Sequence, residues 1–289
     1  MEACYPDKKA TECHPIFIIG APRTGSTLLY QLLTNNTEVI YISNFVNLFH
    51  RNLFAGFVLN GLLLKGHRRI HNSFSSDFGN TLKSGWNAPS ESGNFWYNWL
   101  SKTNDYEENN NISQKKINRL QKLFNRVMAL YERPIVFKNL NNSQRLPLIS
   151  KIDPQSKIIW IKRDHVYNAQ SIILARQKYN VSPNEIWSVH PKGLSPDDCS
   201  NEFELVANQI KLIEEKIRED LKLFPEENTL TINYENLEDM LPDILQFCGI
   251  KLDSLNMLRP HIKTKNSQRL SSEDWNRLQI EIQSLSLPQ

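Results

Sequence analysis

Long hydrophobic runs are scarce in this 289-residue chain. The longest, LFAGFVLNGLLL from Leu53 to Leu64, falls short of the ~20 apolar residues that a helix needs to cross a bilayer. A buried helix is the expected reading; a lid touching a membrane or a lipid-bearing acceptor is the alternative it leaves open. The first residues are polar and carry no signal-peptide pattern, so a cytoplasmic protein is expected. Paired cysteines are also lacking. Cys4, Cys13, Cys199 and Cys248 are scattered, with no C-x-x-C pair and no histidine at ligand spacing beside them. That excludes a disulfide frame or zinc finger and fits reduced thiols. No cluster of metal ligands stands out, and no metal is expected. Charge of one sign is absent too: 34 Lys and Arg against 31 Asp and Glu leave a formal +3. This is too mild for the concentrated basic face that binds duplex nucleic acid, and it suits one local anion site. There is no internal repeat and no convincing linker, so one domain over residues 1–289 is expected.

What is present begins at Pro15. Ile16 to Ile19 is a short apolar, mostly β-branched run, the mark of a buried strand. Gly20 to Ser26 is a small-residue loop with one cation, Arg23. From Thr27 onward, Leu28, Leu29, Leu32 and Leu33 fall on a helical stripe. A strand, a glycine-bearing loop and a helix together make an anion site, because backbone N–H groups and the positive end of the helix dipole face the loop.

The same alternation continues. Val39 to Ile42, Ile135 to Phe137, Lys157 to Lys162 (KIIWIK) and Thr229 to Ile232 read as strands. Phe45 to Lys65 reads as one helix or two, broken near Gly56 or Gly61. Glu91 to Leu100, Ile117 to Tyr131, Leu146 to Ile152, Val166 to Arg176, Phe203 to Phe224, Leu237 to Phe247 and the stretch from Ser272 read as helices. Gly66 to Pro89 and Trp187 to Ser200 read as loops. The expected fold is three-layer α/β/α: a central, mainly parallel sheet with a P-loop-like strand-loop-helix. Ligands bind such sheets at the carboxyl ends of the strands, so Gly20, Lys138, Arg163 and Tyr234 should share one rim.

Gly20 and Gly25 have the spacing of the nucleotide triphosphate loop G-x-x-x-x-G-K-S/T. The lysine of that motif, however, is Ser26 here, followed by Thr27, and the cation sits back at Arg23. A kinase without that lysine lacks its main γ-phosphate contact. The segment Pro22-Arg23-Thr24-Gly25-Ser26-Thr27-Leu28-Leu29 resembles the 5′-phosphosulfate loop of the sulfotransferases. A second stretch carries the same resemblance: KIIWIK ends in Arg163-Asp164, and Ser171 follows eight residues after Arg163. The late Ile232-Asn233-Tyr234-Glu235-Asn236-Leu237 is similar to that family's strand-to-helix step. The order of elements matches over most of the chain, while specific motifs cover only Ile16 to Leu33 and Lys157 to Arg176.

The resemblance implies the co-substrate 3′-phosphoadenosine 5′-phosphosulfate (PAPS; product PAP), transfer of a sulfuryl group to a hydroxyl or amine, and no metal. It implies that Pro22, Arg23, Thr24, Gly25, Ser26 and Thr27 hold the 5′-phosphosulfate, with Arg23 stabilising the leaving group. Arg163 and Ser171 would hold the 3′-phosphate, and Ser267 and Arg269 in the late basic stretch would close over it. Cytosolic members place a catalytic histidine just after a lysine that ends the third strand. Here Lys138 is followed by Asn139, Leu140, Asn141 and Asn142. This resembles the bacterial and carbohydrate-type branches, which often use a carboxylate base. Glu91 is the candidate base, with Arg23 and Lys138 completing the catalytic set. The alternative for Glu91 is a helix-start residue with Ser90 as cap; His67, His71 and His165 are other candidates for the base. Trp86, Trp96, Tyr97 and Trp99 surround Glu91 and would suit either sugar stacking or a core. By analogy the acceptor is a carbohydrate, glycoconjugate or other hydroxyl compound. Two readings compete: a P-loop kinase or NTPase with Asp164 as a Mg²⁺ ligand, and a non-catalytic nucleotide-binding protein.

Overall fold

A computed structural model of the chain describes residues 13–36, 38–63, 81–100, 112–250 and 266–285. Among these, five strands form one sheet in the order β2-β3-β1-β4-β5. They are β1 (Ile16–Ile19), β2 (Ile40–Tyr41), β3 (Ile135–Lys138), β4 (Lys157–Lys162) and β5 (Thr229–Asn233). Every neighbouring pair is parallel, with Ile18 opposite Lys138 on one side and Ile159 on the other. The central strand β1 is buried at all four residues, IFII. That is why it shows no alternation: helices cover both faces of a parallel sheet, so both sets of side chains leave water.

The two faces have separate cores. Phe17 and Ile19 point into a cluster with α5 (Gln114–Tyr131), α6 (Leu146–Ile152), α7 (His165–Lys178), α8 (Glu202–Asp220) and α10 (Ser272–Ser284). Ile16 and Ile18 point the other way, against α1 (Ser26–Asn36) and α9 (Leu241–Cys248). The strand's period of two therefore sorts its residues between the two outer layers. Helix α8 buries Phe203, Val206, Ile210, Ile213 and Ile217 on one stripe. Its start is fixed by Asn201, whose Oδ1 accepts from the N–H groups of Phe203 and Glu204 at 2.9 Å each, a cap of about 1 kcal/mol.

The segment from Phe45, expected as one helix or as two broken near Gly56 or Gly61, is two, α2 (Asn44–Asn47) and α3 (Leu53–Leu63). The break falls at Leu48–Asn52, not at a glycine, and Asn52 restarts the chain by accepting from the N–H of Ala55 at 3.2 Å. Gly56 serves packing instead: a Cβ there would lie 2.9 Å from Cβ of Phe49 and 3.0 Å from the carbonyl oxygen of Val46. The α3 helix buries Leu53, Phe54 and Phe57, and no helix among the described residues is long and apolar enough to cross a membrane. The helix expected over Glu91–Leu100 is shorter, α4 (Gly93–Tyr97). Trp96 is 1% exposed and lies among Phe17, Phe95, Phe124 and Phe137. Trp99 packs on the same cluster, so these two rings are core.

Candidate functional site

The loop after β1 is shaped by contacts that leave no room for side chains. A Cβ on Gly20 would lie 2.4 Å from the carbonyl oxygen of Ile161. The N–H of Gly20 donates to Oγ of Ser143, and that hydroxyl donates back to the Gly20 carbonyl, both at 3.0 Å. Ser143 sits in the turn Leu140–Gln144 after β3, so it ties the ends of β1 and β3 together. Gly25 adopts φ +92°, and a Cβ there would meet Cδ2 of Tyr234 at 2.3 Å. Between them Arg23 takes φ +69°. A non-glycine residue there stores roughly 1–3 kcal/mol, which the surroundings must offset.

Those surroundings come from β4 and α7. Asn168 donates its Nδ2 to the carbonyl of Pro22 at 2.6 Å. Nε of Arg23 donates to Oγ of Ser171 at 3.1 Å. Arg163, just past β4, donates through one terminal nitrogen to the carbonyl of Arg23 at 3.2 Å. Its Nε and its other terminal nitrogen both donate to Oδ1 of Asn266, at 3.1 and 2.8 Å. The guanidinium stands 4.8 Å above the ring of Tyr234, a cation–π arrangement. Asn266 in turn donates to Oε1 of Glu235 at 2.7 Å, and the N–H of Asp164 donates to the same oxygen at 3.2 Å.

Burial pushes the Arg23 guanidinium below its ordinary range, and repulsion from Arg163 and Arg269 adds to this. Burial does the same to Arg163, partly offset by Tyr234 and Glu235. Guanidiniums stay charged through such shifts. Massed cations at a buried loop are therefore an unfavourable arrangement that a polyanion would relieve.

Across the cavity the structure brings Glu91 to Lys138. Oε1 of Glu91 accepts from Nζ of Lys138, and from the hydroxyl of Thr27 at 3.3 Å. The Lys138 side chain is 2% exposed and that of Glu91 is 27%. The backbone carbonyl of Glu91 accepts from Nδ2 of Asn139 at 3.0 Å. The helix-start reading of Glu91 does not hold: α4 begins at Gly93, and the Ser90 hydroxyl accepts from the N–H of Ser92 rather than capping the helix. The carboxylate points at the rim of the sheet, where the start of α1 and the end of β3 meet.

Pro22, Arg23, Gly25, Ser26, Thr27, Glu91, Lys138, Arg163 and Tyr234 thus line one cavity of about 350 Å³, within the usual range for small-molecule sites. Thr24 lies beneath it, its hydroxyl donating to the carbonyl of Ala21 at 3.0 Å. Ser171 reaches the site through Arg23. Ser267 and Arg269 are tied to α7 by Gln170, which donates to the Ser267 carbonyl at 2.9 Å and accepts from the Arg269 N–H at 2.6 Å. Lys263 and Lys265, like His67 and His71, lie outside the described residues.

Three of the alternatives left open are decided. Trp86, Trp96 and Trp99 form no sugar platform: Trp96 and Trp99 are core, and Trp86, 59% exposed, is not among the cavity's lining residues. His165 is not in the lining either; its Nε2 pairs with the buried carboxylate of Glu214 at 3.1 Å. Asp164 is the cap of α7, its Oδ1 accepting from the N–H groups of Val166 and Tyr167 at 3.0 and 3.1 Å, so that oxygen has a structural role. Sequence reasoning missed Asn168, Asn266, Trp187 and Ser188. Of these only Asn168 had a signal: it lies three residues before Ser171, one helical turn away on the same face.

The donor-side residues fit a nucleotide phosphorylated at both ends. Gly20 and Gly25 keep the loop free of side chains, the first turn of α1 presents its amides, and the half-buried guanidinium of Arg163 reaches the loop at the carbonyl of Arg23.

In structure the chain is similar to the sulfotransferase STF1 from Mycobacterium tuberculosis H37Rv, with a TM-score of 0.50 at 14% identity, over 95% of this chain and 78% of that one. It is also similar to the sulfotransferase domain from the curacin biosynthetic pathway, TM-score 0.46 at 16% identity over 84% and 76%. A third is the sulfotransferase domain of the Synechococcus PCC 7002 olefin synthase, 0.46 at 15% over 86% and 78%. These identities speak to the fold alone. No curated protein matches the sequence. The sequence pattern of the sulfotransferase family matches residues 15–254, most of the chain. The chain belongs to the sulfotransferase family.

Proposed function

We propose that this enzyme moves a sulfuryl group from PAPS to a hydroxyl, or an amine, of an acceptor, with a carbohydrate or glycoconjugate as the acceptor class. The observation that carries the reading is the single cavity with a loop and two guanidiniums on one side and the Glu91–Lys138 pair on the other. PAPS, when bound, supplies an activated sulfuryl group on a phosphate leaving group. The loop from Pro22 to Thr27 would hold the 5′-phosphosulfate through the amides and hydroxyls at the start of α1. Arg163 would fork onto the 3′-phosphate, with Arg269 beside it and Ser171 holding Arg23.

Glu91 takes the acceptor's proton as the new S–O bond forms and the bond to the bridging oxygen breaks. PAP leaves, its charge met by Arg23 and Lys138. Positioning and charge stabilisation supply most of the acceleration in a transfer of this kind. Thr27 and Lys138 both donate to one oxygen of Glu91, which aims the carboxylate at the cavity before the acceptor arrives.

The test is transfer of radiolabelled sulfuryl from PAPS to a panel of sugars and alcohols, with Glu91→Gln beside the wild type. Transfer by the wild type, with a ~10²–10⁴-fold loss in the variant and unchanged PAP binding, is the expected result. Equal turnover would remove Glu91 as the base. PAP binding with no transfer to any acceptor would favour the non-catalytic reading.

A further inference from the structure

Two cavity-lining residues, Trp187 and Ser188, are given no role in the donor and proton-transfer scheme proposed above. They lie between α7 and α8, in a stretch that two buried side chains hold. Gln209 of α8, 2% exposed, donates its Nε2 to the carbonyls of both Trp187 and Val189, at 2.8 and 2.6 Å. Arg176, near the end of α7 and 1% exposed, donates to the carbonyls of Ser182, Pro183 and Glu185. Between the two carbonyls that Gln209 grips, Ser188 sits at φ +70°. Non-glycine residues avoid this region unless their surroundings over-determine it. An ordinary surface connection has no need of a buried amide clamped around a strained residue; a stretch that must present side chains in one arrangement does.

The position of this wall follows from the packing. Trp187 and Leu140 pack on the same core cluster, and α8 packs against the turn that begins at Leu140. Leu140 lies just beyond Lys138, on the β3 side of β1, whereas Arg163 and Tyr234 follow β4 and β5 on the other side. Leu140 therefore stands beside the Glu91–Lys138 pair, and Trp187 and Ser188 line the same cavity. Tyr179 stacks on Trp187, with centroids 6.3 Å apart and planes at 19°, and so supports its ring. The wall is aromatic, aliphatic and hydroxylic. On the sulfotransferase reading, the cations that line the cavity, Arg23, Lys138 and Arg163, serve the donor and the leaving group.

We infer that Trp187, Leu140 and Ser188 form the acceptor subsite, and that it takes a neutral alcohol carried on a ring with an apolar face. The ring lies against Trp187 and Leu140 and its hydroxyl reaches Glu91. Gln209 is the positioning residue that holds this wall. The inference rests on the sulfotransferase reading of the cavity. A neutral pyranoside and a benzylic alcohol share this chemistry.

The test uses saturation-transfer NMR on full-length protein, with and without PAP, and three probes: methyl β-D-glucopyranoside, 4-methylbenzyl alcohol and methyl β-D-glucuronide. At least one neutral probe is expected to bind through its ring protons, in preference to the charged glucuronide, and whichever responds identifies the source of the ring. Trp187→Ala should abolish that signal and Trp187→Phe should keep part of it. Gln209→Met should weaken the probe about tenfold or more and lower Tm, with PAP affinity held near wild type. Four outcomes overturn the inference: no neutral probe binds; the glucuronide binds best; the signal survives Trp187→Ala; or Trp187→Ala weakens PAP, which would put Trp187 on the nucleotide. Calorimetry of PAP with the wild type tests the donor reading separately, so its failure is distinguishable from failure of the acceptor subsite.

Discussion

Among single residues, Arg163 and Gly25 do most to shape the loop after β1. Arg163 reaches the carbonyl of Arg23 and the side chain of Asn266, so it links the loop to the late basic stretch. Arg163→Ala is expected to lower PAP affinity by ~10–100-fold, in line with charge-assisted hydrogen bonds worth ~1.5–3 kcal/mol. Its effect on AMP, which lacks the 3′-phosphate, should be much smaller; calorimetry with both ligands checks this, and equal losses would remove the assigned role. Gly25→Ala meets the Tyr234 ring and a positive φ together. It should lose donor binding and ~1–3 kcal/mol of stability. Adding Tyr234→Ala should relieve the clash but not the backbone strain, giving partial recovery of Tm. A chemical check is available at Cys248, where burial raises the thiol to about 12. Alkylation requires the thiolate, so at pH 8 iodoacetamide should label the half-buried Cys199 and spare Cys248 in the folded protein, as mapped by mass spectrometry.

At the scale of elements, α7 does more than bridge β4 to α8. Its cap Asp164 fixes where the helix starts, Asn168 and Ser171 on one face grip the loop after β1, and Gln170 holds residues 267–270. Asp164→Asn should keep the cap and PAP binding; Asp164→Ala should lose about 1 kcal/mol of stability. Thermal unfolding and PAP titration check both variants.

This scale also shows what the sequence could and could not disclose. KIIWIK followed by Arg163 and Ser171 was legible because a buried strand, a cation and an i+8 helical position leave a pattern in the chain. The partner of Arg163 was not, because Asn266 lies 103 residues away and is brought back only by tertiary packing. The Trp cluster near Glu91 stayed open between ligand and core for the same reason: Trp96 at helical spacing reads alike whether it faces a ligand or Phe137. The break between α2 and α3 was misplaced because Gly56 reads as a breaker, whereas in the fold it permits close approach to Phe49.

At the scale of the whole molecule, the alternation of strands and helices was sufficient for the parallel sheet and for the common rim that carries Gly20, Lys138, Arg163 and Tyr234. Strand order was not legible. Placing β1 between β3 and β4 is what brings Lys138 to one side of the phosphate loop and Arg163 to the other. The central claim is that this rim holds a nucleotide phosphorylated at both ends, and not a triphosphate. Isothermal titration of the wild-type protein with PAP and with ATP, each with and without Mg²⁺, tests it most directly. The account predicts that PAP binds without Mg²⁺ and that ATP binds poorly in either condition. Tight binding of ATP only in the presence of Mg²⁺, with weak PAP binding, would contradict it.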